Sequence, residues 1–518
     1  MKCADCLPAV LTVLLWVQGV EGQTNPPEIL DQASFGGTTS DVPYQVRTMP
    51  DGGLVMGGES TSTNGTRTSP TFGAKDFWLV RLDPAGALAW DRSFGGVGDD
   101  QLFALEIVRT NQMILAGGSS SPVSGNKTST NYGLRDFWVV LLDENGQKIW
   151  DRSFGGSDDD FATCAVETED GGFVVAGYSR SAADGNKSAP SRGEGDFWVV
   201  RLDANGNKVW DQSYGGAGDD CAFSLVSLPG GSVVVAGSSA SEPSGNKRGP
   251  NYGSYDLWLL CLDIGGDIEW EQVYGGDLDD GYYSVSLART AEGDLIVGAD
   301  SYSAATGNKT SPNFGQDDFW ILRLDASGNR LWETNCGGFD NDYLTSLLVT
   351  ADDGCVAGGG SNSGVTGNKT APGQGSTDFW LVKLDADGRR QWDKTVGGTD
   401  ADAFMALSLA QTTNGTLICC GDSDSGAGGD KTMPSLGYSD FWLVKLGAAP
   451  SLQINLEAGV PRVLLLGEPG KTYITDASID LQTWNPAATN HLTGTTDVVL
   501  DPGQSGAPRR FYRARLAE

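Results

Sequence analysis

The feature that most constrains this chain is a self-similarity repeated seven times. An Asp-(Phe or Leu)-Trp triplet places tryptophan at Trp78, Trp138, Trp198, Trp258, Trp320, Trp380 and Trp442, with spacings of 60, 60, 60, 62, 60 and 62 residues. A Gly-Gly pair recurs in step, from Gly36-Gly37 to Gly397-Gly398. A unit of this length cannot bury an apolar face alone, so the units must stack on one another to make a core. Glycine supplies 73 of the 518 residues, and no long stretch is apolar at i, i+3, i+4 and i+7. The units therefore read as short strands joined by turns.

One unit, Gly155 to Tyr214, divides into four strand-like runs at Phe161–Thr168, Phe173–Tyr178, Phe197–Asp203 and Lys208–Ser213. Asp170-Gly171-Gly172 and Asn205-Gly206 are turn signals, and a long loop joins the second run to the third. The third run is apolar on both faces, as a sheet pressed between two neighbours requires. Four strands per unit is the make-up of a propeller blade. The ends of the repeat fix how it closes. The chain enters with Ile29 to Phe35, which matches a fourth strand with no three before it, and leaves at Phe441 to Leu446, a third strand with no fourth. A ring explains both ends, because the first strand completes the last blade and removes two open edges. The expectation is an all-β protein: a seven-bladed β-propeller over residues 23–446, closed by its N-terminal strand. A linker over 447–450 and a small C-terminal β-sandwich domain over 451–518 follow.

Residues 1–22, with Lys2, an apolar run from Pro8 to Val17 and Val20-Glu21-Gly22, read as a secretory signal peptide. No other segment approaches the ~20 apolar residues of a membrane span. The chain is thus expected to be secreted, to the extracellular space, the cell surface or the periplasm, with no transmembrane segment. Formal net charge is −32, and the last 71 residues hold 7 acidic and 6 basic side chains, which leaves nearly all of the excess upstream. So acidic a surface repels phosphate backbones and argues against nucleic acid as a partner. Seven cysteines fall beyond the signal at non-equivalent repeat positions, without a C-x-x-C pair, and read as small buried residues.

Several repeated residues read as structural. Asp-x-x-Gly-x-x-x-Trp, as at Asp203/Gly206/Trp210, is hairpin chemistry: a carboxylate for turn amides, a glycine for positive φ and a ring to cover the next sheet. Thirteen of the fifteen tryptophans fall at two strand positions and read as core.

Two connections carry the candidate site. After each Gly-Gly stands an aspartate, paired in four units: Asp99-Asp100, Asp159-Asp160, Asp219-Asp220 and Asp279-Asp280, with Asp342 and Asp402 in later units. The long loop between the second and third strands carries Gly-Asn-Lys in five units, at Asn126-Lys127, Asn186-Lys187, Asn246-Lys247, Asn308-Lys309 and Asn368-Lys369. In an up-and-down blade both connections emerge on one face. Loops of about 16 residues are uncommon without a function. Oxygen-rich pairs suit Ca²⁺ as a cofactor, with the Asn-Lys loops as a binding face for a glycan or an extracellular protein. The other reading is that each Asp caps its own turn and each Lys pairs with the acids, tying blade to blade. Six Asn-x-Ser/Thr sequons, four of them in these loops, are expected to mark exposed positions.

The one histidine, His491, lies outside the repeats, which excludes imidazole catalysis and His-ligated metal from the propeller. Two carboxylates suffice to cleave glycosides, but acids that repeat sevenfold are not an unlike pair, and no catalytic residue is assigned. The expected function is a non-enzymatic exported scaffold with an acidic, loop-rich binding face. A carboxylate-dependent carbohydrate-active enzyme and a purely structural spacer are the alternatives.

The repeats, Trp-x-x-x-aromatic-Gly-Gly-x-x-Asp-Asp, Asp-Gly-Gly and Leu-Asp-x-x-Gly, resemble those of secreted prokaryotic β-propellers. The tail, with Ser478-Ile479-Asp480-Leu481-Gln482-Thr483-Trp484 and Arg509-Arg510-Phe511-Tyr512-Arg513, resembles the small β-sandwich module of large secreted proteins from environmental bacteria. The resemblance implies an extracellular or cell-surface location and no particular reaction.

Overall fold

A computed structural model describes residues 26–447 without interruption. Beyond them it describes 451–457, 460–466, 472–478, 483–492, 496–499 and 511–516. The proposed signal peptide and most of the linker lie outside the described residues. The chain divides into two compact units, one of them residues 30–445.

Among the described residues every element is a strand or a turn, and the propeller unit holds seven four-stranded sheets, called blades 1 to 7 here. In blade 3 the strands are Asp160–Glu167, Phe173–Ser179, Asp196–Leu202 and Lys208–Tyr214, within a residue or two of the runs read from sequence. They pair in order and antiparallel. The first strand of each blade packs against the first strands of both neighbours, and blade 7 packs against blade 1. The first strands therefore line a central channel. Blade 7 is completed by Glu28–Phe35, hydrogen-bonded beside Asp440–Gly447, so the N-terminal strand closes the ring.

The core lies between blades. All seven third-strand tryptophans are fully buried, each against the phenylalanine or leucine of the preceding blade, as in Phe137–Trp198 with ring centroids 4.6 Å apart. In blades 1, 2, 3 and 6 the indole N–H donates to the aspartate that follows the fourth-strand tryptophan, at 3.1–3.2 Å. In blade 7 Gln32 of the closing strand takes that role at 3.3 Å. Blades 4 and 5 carry Glu271 and Glu333 there, and the longer side chain leaves Trp258 and Trp320 without an acceptor. The fourth-strand tryptophans lie over the turn of the next blade. Gly206, at φ 76°, has Trp150 so close that a Cβ would sit 3.1 Å from its ring.

The channel wall has its own seam. The hydroxyls of Ser224, Ser286, Ser346 and Ser408 each accept an amide N–H from the next first strand, at 3.0–3.1 Å. Seven strands splayed round an axis cannot complete a ladder with one another, and side chains bridge the gap. The cavity that these strands line measures about 620 Å³.

The tail forms two three-stranded sheets, one from Ser451–Glu457, Val460–Leu466 and Thr496–Val498, the other from Asn485–His491, Thr472–Ser478 and Phe511–Leu516. Val463, Leu465, Tyr473, Leu492 and Val499 are its buried core.

Two outcomes follow from this packing. A chain beginning at Gly36 leaves Asp440–Gly447 as an open edge, and its melting temperature should fall by roughly 5 °C or more with self-association visible on gel filtration. Glu271→Asp should restore the acceptor for Trp258 and raise stability in urea unfolding by about 1 kcal/mol.

Candidate functional site

The repeated residues expected to form a cation ring and a binding face are placed inside the blades. Asp100, Asp160, Asp220, Asp280, Asp342 and Asp402 are fully buried. In each, one oxygen accepts the amide of the second glycine and a serine hydroxyl from the long loop: Gly96 N at 2.8 Å and Ser121 Oγ at 2.8 Å for Asp100. The same pair of donors serves Asp160, Asp220, Asp342 and Asp402 at 2.6–2.9 Å. Asp280 accepts both donors likewise, at 2.6 and 2.8 Å. One oxygen of each carboxylate is thus taken by two internal donors, while the second oxygen of Asp100, Asp160, Asp220 and Asp402 is buried without a partner. Among the described residues no three His, Cys, Asp or Glu side chains converge as metal ligands. Asp99, Asp159, Asp219 and Asp279 lie nearer solvent, with Asp159 3.7 Å from Arg135 and Asp219 3.8 Å from Arg180. The repeated aspartates do not fit a ring of calcium sites.

The lysines correct the second expectation. Lys127, Lys187, Lys247, Lys309 and Lys369 are only 1–3% exposed and cannot present a charged face to a ligand. Lys127 Nζ lies 5.7 Å from the ring centre of Trp138 and donates to Ser153 Oγ at 2.7 Å. Lys187, Lys309 and Lys369 sit over the tryptophan of their own blade at 5.1–5.5 Å. Lys247 donates to the Ser241 carbonyl at 2.6 Å. Blade 1 uses Arg67 instead, paired to the buried Asp76 at 2.8 Å. The asparagine before each lysine reaches the preceding blade. Asn126 accepts from Gly95 N at 2.9 Å and donates to the Ser93 carbonyl at 2.8 Å, and Asn186, Asn246, Asn308 and Asn368 repeat both bonds. Four of these five asparagines head sequons, yet their amides are committed inside the fold rather than exposed.

What departs from the repeat is the channel mouth on the same side. In blades 1, 2, 3, 4 and 6 the first strand carries a one-residue bulge, as between Ala162 and Cys164. In blades 5 and 7 the ladder skips from Asp280 to Val285 and from Asp402 to Leu407 while the partner strand advances two residues. These are the two blades whose tryptophan spacing is 62. The extra residues swing out with Gly281 and Ala403 at φ 79° and 58°, and expose Tyr282 (45%), Tyr283 (56%) and Phe404 (62%). A carboxylate one strand away holds each loop: Asp300 accepts the amides of Tyr283 and Ser284 at 3.4 and 3.1 Å, and Asp422 that of Ala406 at 2.8 Å. Positive φ at an alanine and exposed rings are costs that a pure scaffold has no need to bear.

Around this mouth the rings form two runs. Tyr44, Phe103, Phe161 and Tyr178 follow one another at centroid distances of 5.1, 6.2 and 5.3 Å across blades 1 to 3. Tyr255, Tyr282, Tyr283 and Tyr343 do so at 4.9, 4.9 and 5.9 Å across blades 4 to 6. The first run carries cations, with Arg135 over Phe161 at 4.5 Å and Arg180 over Tyr178 at 5.5 Å. The second carries acids. Burial raises Asp300 to about 7, and burial together with the charge of Asp300 raises Asp317 to about 10. Sequence reading missed these residues, although the 62-residue spacings marked the blades that hold the bulges.

Fold and mouth together define a β-propeller with an asymmetric, aromatic-lined channel entrance. No protein-family model matches the chain. It is 25% identical over 421 residues to the Regulatory protein FlaEY of Caulobacter vibrioides, a match spanning 73% of this chain and 42% of that protein. Among solved structures, the Neurospora crassa Pan2 WD40 domain aligns at 11% identity with a TM-score of 0.42, covering 81% of this chain and 97% of that one. The GH93 α-L-arabinofuranosidase of Fusarium graminearum aligns at 10% identity and a TM-score of 0.38, covering 80% and 97%.

The buried carboxyls also set a pH dependence. Burial raises Asp136, Asp256 and Asp318 to about 7 and Asp220 to about 6. An acid raised in the folded state holds its proton more tightly there than when unfolded. Its destabilising effect is full above pH 7 and is relieved as pH falls toward the unfolded value near 4. Asp211, despite its burial, is held down to about 2 by Lys208 and Ser188, so its contribution is lost only below that window. The melting temperature should rise as pH is lowered from 8 to 5, and a fall over that range contradicts the assignment.

Proposed function

We propose that this chain is an exported, non-enzymatic β-propeller that binds a neutral glycan across the tyrosine-bearing mouth of its channel. The observation that carries the reading is the pair of bulges that expose Tyr282, Tyr283 and Phe404 in an otherwise regular repeat. Tyrosine offers a flat apolar face for sugar C–H groups and a hydroxyl at its edge, with little side-chain entropy to lose on binding. Anionic ligands are disfavoured by the charge of −32. Binding is favoured over hydrolysis for a geometric reason. Asp300 and Asp317 are two unlike acids unrelated by the repeat, but both are fully buried and cannot reach a glycosidic oxygen.

The test is a glycan array followed by titration calorimetry with the wild-type chain and the Tyr282→Ala/Tyr283→Ala double variant. The double variant should lose about tenfold or more in affinity, the scale of removing two aromatic contacts, while its melting temperature stays within about 1 °C because both rings are exposed. Unchanged glycan affinity in the double variant removes this reading, as does binding of a protein partner in place of any glycan. Turnover of the bound glycan puts the enzyme reading first.

A further inference from the structure

Two mouth-side positions face each other in each blade: the residue before the serine that ends the second strand, and the residue before the aspartate that opens the third. In blade 1 these are Glu59 and Lys75, and in blade 5 Asp300 and Asp317. The register makes them equivalent, since Ser60 pairs with Asp76 as Ser301 pairs with Asp318. In blade 1 the two form an ion pair at 2.7 Å. In blade 2 Arg135 occupies the second position and reaches Asp159 of blade 3 at 3.7 Å.

Blade 5 inverts this arrangement. Asp317 stands where the other two blades have a cation, is fully buried, and neither of its carboxyl oxygens has a hydrogen bond of good geometry, the Ser301 amide being the one donor that acts on it. Asp300, also fully buried, acts on it directly and spends its bonds on the bulge amides. The residue of the next blade that corresponds to Asp159 is Asn341, and its Oδ1 is buried without a partner too. Asn341 adjoins Asp317 through the bond from Asp342 N to the Asp317 carbonyl at 2.7 Å. The lysine of this blade, Lys309, is committed to the Ser303 carbonyl at 2.6 Å and to the face of Trp320. Two buried carboxyls without a counter-charge are strongly unfavourable, whereas the unpaired oxygens of Asp317 and Asn341, beside the amide-bonded carboxylate of Asp300, are of the kind a hard cation takes as ligands.

We propose that blade 5 holds one hard divalent cation, of the Ca²⁺ type, between Asp317, Asp300 and the side-chain carbonyl of Asn341, in the place that Lys75 fills in blade 1. This site is single, unlike a ring of seven, and it does not depend on the glycan reading. The third oxygen comes from an amide, so no trio of acidic, histidine or cysteine ligands is needed. The cation neutralises the carboxyl that clamps the Tyr283 bulge, which ties its binding to the order of the mouth.

The experiment uses the full chain stripped with EDTA at pH 7.5. Ca²⁺ is titrated by calorimetry, and Tb³⁺ by luminescence excited through the neighbouring tyrosines Tyr283, Tyr302 and Tyr343. One equivalent per chain and a melting temperature raised by several degrees with Ca²⁺ are expected. Asp317→Asn should weaken binding at least tenfold. Asp317→Lys recreates the pair of blade 1 with Asp300, and its melting temperature should be indifferent to Ca²⁺ and EDTA. If Asp317→Asn fails to fold, the Lys variant decides. No binding of either ion up to millimolar concentration overturns the proposal, and so does one-equivalent or multiple binding that both variants retain.

Discussion

The turn that carries Gly-Asn-Lys in five blades, with Thr66-Arg67 and Asp430-Lys431 in its place in blades 1 and 7, joins a blade to the one before it, and the ring depends on that joint. Its asparagine occupies both an N–H and a carbonyl where the preceding fourth strand ends, which pairs two backbone groups at the seam. Its lysine enters its own blade and lies over the buried tryptophan, among the acids that open the first and third strands. A loop of this length would otherwise be a mobile surface connection. Here one dipeptide fixes a blade internally and externally, and the near-identity of the loops follows from that double duty.

Because the joint consumes the repeated polar residues, little of the sevenfold face is free for recognition. The acids that look like cation ligands in the sequence are acceptors for glycine amides and serine hydroxyls, and the lysines are core. What stays available is what breaks the repeat: two inserted loops, the exposed rings upon them, and an acid where a basic residue stands in blades 1 and 2. A regular scaffold with one irregular rim is the arrangement expected when function is grafted on a fold. The scaffold supplies rigidity, and the departures supply chemistry.

Much of the architecture was legible in the residues. Strand bounds in blade 3 follow from Asp-Gly-Gly, Asn-Gly and the two-sided apolar pattern of Phe197 to Leu202, because turn chemistry and alternation are local properties. The closing strand followed from the incomplete ends, since an unpaired edge is costly wherever it falls. The burial of Lys127 was not legible. A charged residue in a polar loop reads as solvated, and only the convergence of Trp138, Asp100, Asp136 and Asp151 from separate strands makes a buried ammonium tolerable. Tyr282 and Tyr283 were hidden for a related reason. In the sequence they continue an apolar strand, and it is the skipped ladder pairing between Asp280 and Val285 that turns them outward.

The sequence by itself determined the all-β content, the number of repeats and the closure, because each rests on periodicity and on local turn preferences that neighbours in the chain decide. Tertiary structure alone decided which polar residues are spent and which are free. That depends on meetings between residues well separated along the chain, such as Asn126 with Gly95, Glu59 with Lys75 in one blade and Asp300 with Asp317 in another. A one-dimensional pattern records that a residue recurs, while its partner, and so its charge state and exposure, is set by what the folded ring brings beside it.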